Sequence, residues 1–177
     1  MKLIKTNKLI FYISLSLFFL LFFTACYANR FSYLDATVDM ENRIALLEGK
    51  SHRGSWNTRD LLVNYNYKMD ANILQLSGEV EFDNHLQYNF TYLEHFYLWI
   101  YFIDDESKII GNKAIVVAGY RSRIENIPFH HNLQMPLNAN GIAFGYDGRA
   151  REGGGFPIAI DIDRDSISWD FWKVPYR

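Results

Sequence analysis

The sequence contains a single cysteine, Cys26, in 177 residues. No intramolecular disulfide can therefore form, even in an oxidising compartment. An excess of basic charge is also lacking, with 18 Lys and Arg against 20 Asp and Glu. The formal net charge is −2, and it becomes −5 once Lys2, Lys5 and Lys8 are removed with the N-terminal segment described below. Such a chain has no field with which to attract nucleic acid. Long helical patterning is missing too, and no apolar run reaches the about 20 residues that a spanning helix needs.

Signatures of catalysis and metal binding are equally sparse. Gly49-Lys50-Ser51 looks like the end of a phosphate loop, but the other required glycine falls on Ile44. No G-x-S-x-G elbow occurs, and Ser51-His52 sit in a polar stretch with no third partner for a triad. Of the histidines (His52, His85, His95, His130 and His131), the adjacent pair would point to opposite faces of a strand and cannot chelate together. Asp161, Asp163 and Asp165 have the spacing that opens a calcium loop, yet the glycine and glutamate positions are Ser166 and Trp172. A solvated strand face accounts for them better than a looser calcium site. Residues 149–155, Arg-Ala-Arg-Glu-Gly-Gly-Gly, have the glycines to wrap an anion but no helix after them, so a flexible loop is the simpler reading. No residue is assigned to catalysis, and no metal or cofactor is expected.

What is present begins with an address. Three lysines precede an apolar run over 9–23, the length of a signal-peptide core. The run ends in Phe23-Thr24-Ala25-Cys26, which resembles a bacterial lipobox with Phe23 in the usual leucine position. The resemblance implies that residues 1–25 are removed and that Cys26 is acylated, palmitate included, as a new N-terminus. Cleavage without lipid, an uncleaved anchor and a chance cysteine are the competing readings. Two acyl chains anchor a protein stably without polybasic help. Tyr27 rather than aspartate follows the cysteine, so resemblance to diderm lipoproteins implies the periplasmic face of the outer membrane. The remaining 152 residues suffice for one domain that buries roughly 70% of its unfolded surface.

The stretch around which this domain is organised is 93–104, Leu-Glu-His-Phe-Tyr-Leu-Trp-Ile-Tyr-Phe-Ile-Asp. Phe96, Leu98, Ile100 and Phe102 share one parity, and His95, Tyr97, Trp99 and Tyr101 share the other. A strand sends successive side chains to opposite faces, so one face is purely apolar and the other amphipathic-aromatic. This is read as the central strand of a sandwich. Residues 26–55 read as a polar membrane-proximal linker, with a weak helical pattern over 35–48 (Val38, Ile44, Leu46, Leu47) stopped by Gly49. From Trp56 onward, alternating runs begin at Leu61 and at Leu74, the second holding Gly78 as a bulge or close approach. Residues 83–91 read as a loop. The acidic turn 104–108 forms a hairpin into 109–118. A strand bounded by Pro128 and Pro136, another from Ile142, and one or two more after 158 complete the count.

Short strands with regular turn signals argue an all-β, two-sheet antiparallel sandwich, with a small β-barrel as the alternative. The strand order over 58–150 resembles the immunoglobulin or fibronectin-III-like (FxLYD-type) modules of small bacterial lipoproteins of unknown function. The FxLYD signature is not met, because Trp99-Ile100 follows Phe96-x-Leu98. Such modules share no catalytic residues.

Aromatics are 17% of the chain, and many lie opposite the expected core, namely Tyr97, Trp99 and Tyr101 with Tyr88, Tyr92, Trp169 and Trp172. Tyr97, Trp99 and Tyr101 are the candidate binding face, since exposed Tyr and Trp bury large area and keep a polar handle. The competing account is that the linker or the C-terminal segment covers that face. The expectation is a non-catalytic envelope module for a protein partner, with a glycan-binding module or an unrecognised hydrolase as alternatives.

Overall fold

A computed structural model describes residues 33–152 and 167–176. Two antiparallel sheets pack face to face and do not close into a barrel, which removes the barrel alternative. One sheet has the order β2-β3-β4-β7, from β2 (His52–Asn57), β3 (Leu61–Asp70), β4 (Ile73–Phe82) and β7 (Ile127–Gln134). The other runs β1-β8-β5-β6, from β1 (Ile44–Ala45), β8 (Gly141–Arg151), β5 (Tyr92–Ile103) and β6 (Ile109–Ala118). The strand β9 (Ser168–Lys173) lies beside β8 on the side away from β5.

β5 is the central strand that its alternation predicts. Phe96, Leu98, Ile100 and Phe102 are all buried, at no more than 4% exposure, and face the other sheet. Their counterparts are Val63, Tyr65 and Tyr67 of β3 and Leu74, Leu76, Val80 and Phe82 of β4. Rings lock the layers together: Phe82 meets Phe96 edge-on at 5.0 Å, and Tyr65 lies 5.3 Å from Phe144. Burying each such side chain stabilises the fold by about 1.5–3 kcal/mol. His131 projects from β7 toward β6, where its Nε2 lies 2.6 Å from the Ile115 carbonyl, while its neighbour His130 is exposed.

Gly78 sits in regular register opposite Tyr65, so it marks a close approach and not a bulge. A β-carbon there would meet the Asn64 carbonyl and stand 2.7 Å from the Phe129 ring.

The N-terminal part departs from its expected linker character. No helix forms over 35–48. Residues Met40–Asn42 make one 3-10 turn, and Ile44–Ala45 pair with β8. Ile44 and Leu46 pack on the core while Leu47 stays 57% exposed, a period of two that suits an edge strand and not a helix. β2 also begins upstream of Trp56, at His52, and pairs with β3 along its whole length. Residues 83–91, read as a loop, contain a short helix α1 (Asn84–Asn89). Asp83 caps it by accepting from the His85 backbone N–H at 2.9 Å, and Leu86 plugs into the core.

Candidate functional site

The outer face of the five-stranded sheet is built by strand register. Residues directly opposite on neighbouring strands point the same way, so Tyr97 stands between Val117 of β6 and Asp147 of β8, and Asp147 stands beside Trp172 of β9. One step along, Trp99 lies between Ala114 and Gly145, and one step back His95 faces Arg149, which faces Asp170.

This face is divided in two. At one end Tyr101 is 2% exposed and Ile103 fully buried. Val38 pairs with Tyr176 in a β-bridge there, and the Tyr176 ring meets Tyr101 edge-on at 6.4 Å. The Pro175 carbonyl accepts from the Asp39 backbone N–H at 3.2 Å and from Asn42 Nδ2 at 3.4 Å. Gly145 permits this closure, because a β-carbon on it would stand 2.9 Å from both the Tyr101 ring and the Lys173 carbonyl. Tyr101 therefore takes no part in an open face, and the N- and C-terminal segments together supply its cover.

The other end is open. Tyr97 and Trp99 are half-buried, with ring centroids 6.3 Å apart and planes 28° apart. Val117 and Trp172 are each 67% exposed. Trp99 Nε1 donates to Asp147 Oδ1 at 3.2 Å, and His95 Nε2 stands 4.0 Å from Oδ2. Arg149 donates twice to Asp170, at 2.5 and 3.1 Å, and holds that carboxyl below its ordinary pKa. Arg151 Nε lies 2.6 Å from Glu94 Oε2, a charge contact whose N–H is not aligned on the oxygen. The two arginines of the expected anion loop are thus already matched by carboxylates. Of the other aromatics singled out from sequence, Tyr92 packs 5.1 Å from Tyr120, Trp169 lies under Arg59, and Tyr88 is exposed on α1.

A second polar cluster closes one end of the sandwich. The Tyr146 hydroxyl donates to Asp60 at 2.7 Å. Burial, reinforced by the Asp60 hydrogen bond and charge, pushes that hydroxyl far above its ordinary pKa and keeps it a donor. His85 places Nδ1 2.8 Å from Asp83 and Nε2 3.2 Å from Asp60, the latter without the alignment of a hydrogen bond. Hydrogen bonds from the His85 backbone and ring lower the Asp83 pKa. These groups come from three separate segments and are spent on one another, fastening α1 to the β2–β3 turn and to β8.

Among the described residues no group of three His, Cys, Asp or Glu side chains could hold a metal ion, and no helix is long and apolar enough to cross a membrane. Cys26, the Gly153-Gly154-Gly155 joint and the Asp161, Asp163 and Asp165 series lie outside the described residues. No protein family, curated protein or solved structure matches this chain.

Proposed function

We propose that the protein is a lipid-anchored, non-catalytic β-sandwich of the cell envelope, working as a binding or accessory module. Its partner docks on the open half of the outer sheet face. The observation that carries this reading is the row Val117, Tyr97, Asp147 and Trp172, in which two large apolar side chains stay 67% exposed beside a half-buried ring. Exposed Trp and Tyr in a row are characteristic of recognition surfaces. The address rests on the signal-like N-terminus and on Cys26, and implies the periplasmic face of the outer membrane in a diderm cell. An envelope protein is the partner expected from sequence and a glycan the alternative; the chemistry of the face favours the glycan.

The finer relation to immunoglobulin or fibronectin-III-like modules is supported by the two packed antiparallel sheets. Strand order supports it less, since β2, β3 and β4 are consecutive in one sheet, whereas the ABED sheet of an immunoglobulin domain is not a run of consecutive strands.

Two experiments test the proposal. Radiolabelled palmitate should enter the wild type and not Cys26→Ser; equal labelling, or none in either, removes the anchor. The full chain in detergent should bind a component of solubilised envelope fractions, and Trp172→Ala should abolish that binding while Tyr88→Ala leaves it intact. Absence of binding, or equal loss in both variants, removes the docking face.

A further inference from the structure

We infer that the open half of the outer face is a platform for a neutral oligosaccharide, with Tyr97 and Trp172 stacking against sugar rings on either side of Asp147. The inference rests on the docking-face reading above and names the class of its ligand.

Spacing comes first. Neighbouring strands lie ~4.8 Å apart, so Tyr97 on β5 and Trp172 on β9, separated by β8, rise from backbone positions about 10 Å apart. That is the step of a disaccharide, and the residue between them is a carboxylate. A pyranose has a face of C–H bonds and a rim of hydroxyls. The C–H face needs an aromatic plane, and the rim needs hydrogen-bonding groups beside it. The row provides both in alternation. Asp147 Oδ1 accepts from the Trp99 indole at 3.2 Å. Oδ2 has only the His95 ring, 4.0 Å away and beyond hydrogen-bond range, among the described residues. With its side chain 49% exposed, Asp147 can accept from ligand hydroxyls lying between the two rings.

Charge selects among ligands. Glu94, Asp147 and Asp170 are interleaved with Arg149 and Arg151, and the pairs Arg149–Asp170 and Arg151–Glu94 neutralise each other. The face therefore has no single-signed field for a polyanion or a polycation. A protein interface of ordinary affinity has a core depleted of charge, whereas here a partly solvated carboxylate occupies the middle of the aromatic row. A neutral polyhydroxyl chain is the ligand that uses both the rings and the carboxylate, its hydroxyls donating to the solvated Asp147 oxygen.

The test titrates the full chain in detergent micelles with two neutral probes, the hexamer of N-acetylglucosamine and the hexamer of glucose, followed by calorimetry. At least one hexamer should bind saturably. Trp172→Ala and Tyr97→Ala should each weaken that binding tenfold or more, and Tyr88→Ala should not change it. Trp172 is solvent-exposed, so its variant keeps the fold, and an unchanged near-ultraviolet circular dichroism spectrum outside the lost indole checks this. Binding of neither hexamer at millimolar concentration overturns the inference, as does binding that ignores Trp172→Ala. If both sugars fail while a protein crosslinks to the wild type and not to Trp172→Ala, the glycan falls and the docking face stands. If no envelope component binds either, both fall.

Discussion

Tyr101→Ala offers the sharpest perturbation of the divided face. Tyr101 and Trp172 project from the same side of the same sheet, yet one is 2% exposed and the other 67%. Truncating a fully buried large aromatic costs about 3–5 kcal/mol, because the lost transfer energy is joined by a residual cavity. In a domain of this size each kcal/mol moves the melting temperature by about 2–4 °C, so Tyr101→Ala should lower it by roughly 10 °C. Trp172→Ala should stay within about 0.5 kcal/mol, as surface substitutions do. Thermal unfolding of the full chain in detergent measures both. A second variant ending at Lys173 removes Pro175 and Tyr176, and with them the two hydrogen bonds accepted by the Pro175 carbonyl. Because the truncation uncovers Tyr101, its effect and that of Tyr101→Ala should combine to less than their sum. Equal losses at Tyr101 and Trp172, or strict additivity with the truncation, would refute the division of the face.

Three more outcomes follow from the core and the ion pairs. Leu98→Asp places an unpaired charge at a fully buried site and should leave no folded protein by circular dichroism, since its penalty is comparable to the about 5–15 kcal/mol that holds a domain together. Gly78→Ala should destabilise the fold by more than 1 kcal/mol in denaturant titration, because the new methyl meets the Asn64 backbone as well as the Phe129 ring; a neutral result would mean that β3 and β4 shift apart freely. The carboxyls of Asp83 and Asp170 have folded pKa values below their unfolded ones. Their contribution is present above the unfolded value of about 3.9 and is lost as the pH falls through the folded values. Melting temperature should therefore drop below about pH 4, with a shallower drop in Asp170→Asn; an unchanged slope would show the Arg149 pair to be inert.

How far the sequence discloses this molecule differs from segment to segment. The inner face of β5 is legible because four purely apolar residues at period two have only one place to go. Parity assigns Tyr101 to the outer face but cannot say that Val38 and Tyr176, remote in sequence, close over it. Nor does it join Trp172 to Tyr97; that adjacency exists only through the registers of β5 with β8 and of β8 with β9. The short helix α1 was readable in principle from Asp83, whose side chain caps it. The cluster of Asp60, His85 and Tyr146 was not, since three dispersed segments supply it. Ile44 and Leu46 mislead because four apolar residues fit a loose helical stripe as well as a two-residue edge strand.

The four tryptophans provide the most direct measurement of the central claim. Trp56 is buried in the core, Trp169 lies 38% exposed under Arg59, and Trp99 and Trp172 belong to the open face. Incorporating 5-fluorotryptophan into the full chain gives one fluorine resonance for each environment, assignable by single Trp→Phe variants. On titration with a solubilised envelope fraction, the resonances of Trp99 and Trp172 should shift or broaden while those of Trp56 and Trp169 stay in place. Movement of Trp56 or Trp169 with Trp99 and Trp172 unchanged, or no movement at all, would contradict a docking surface on the open half of the outer face.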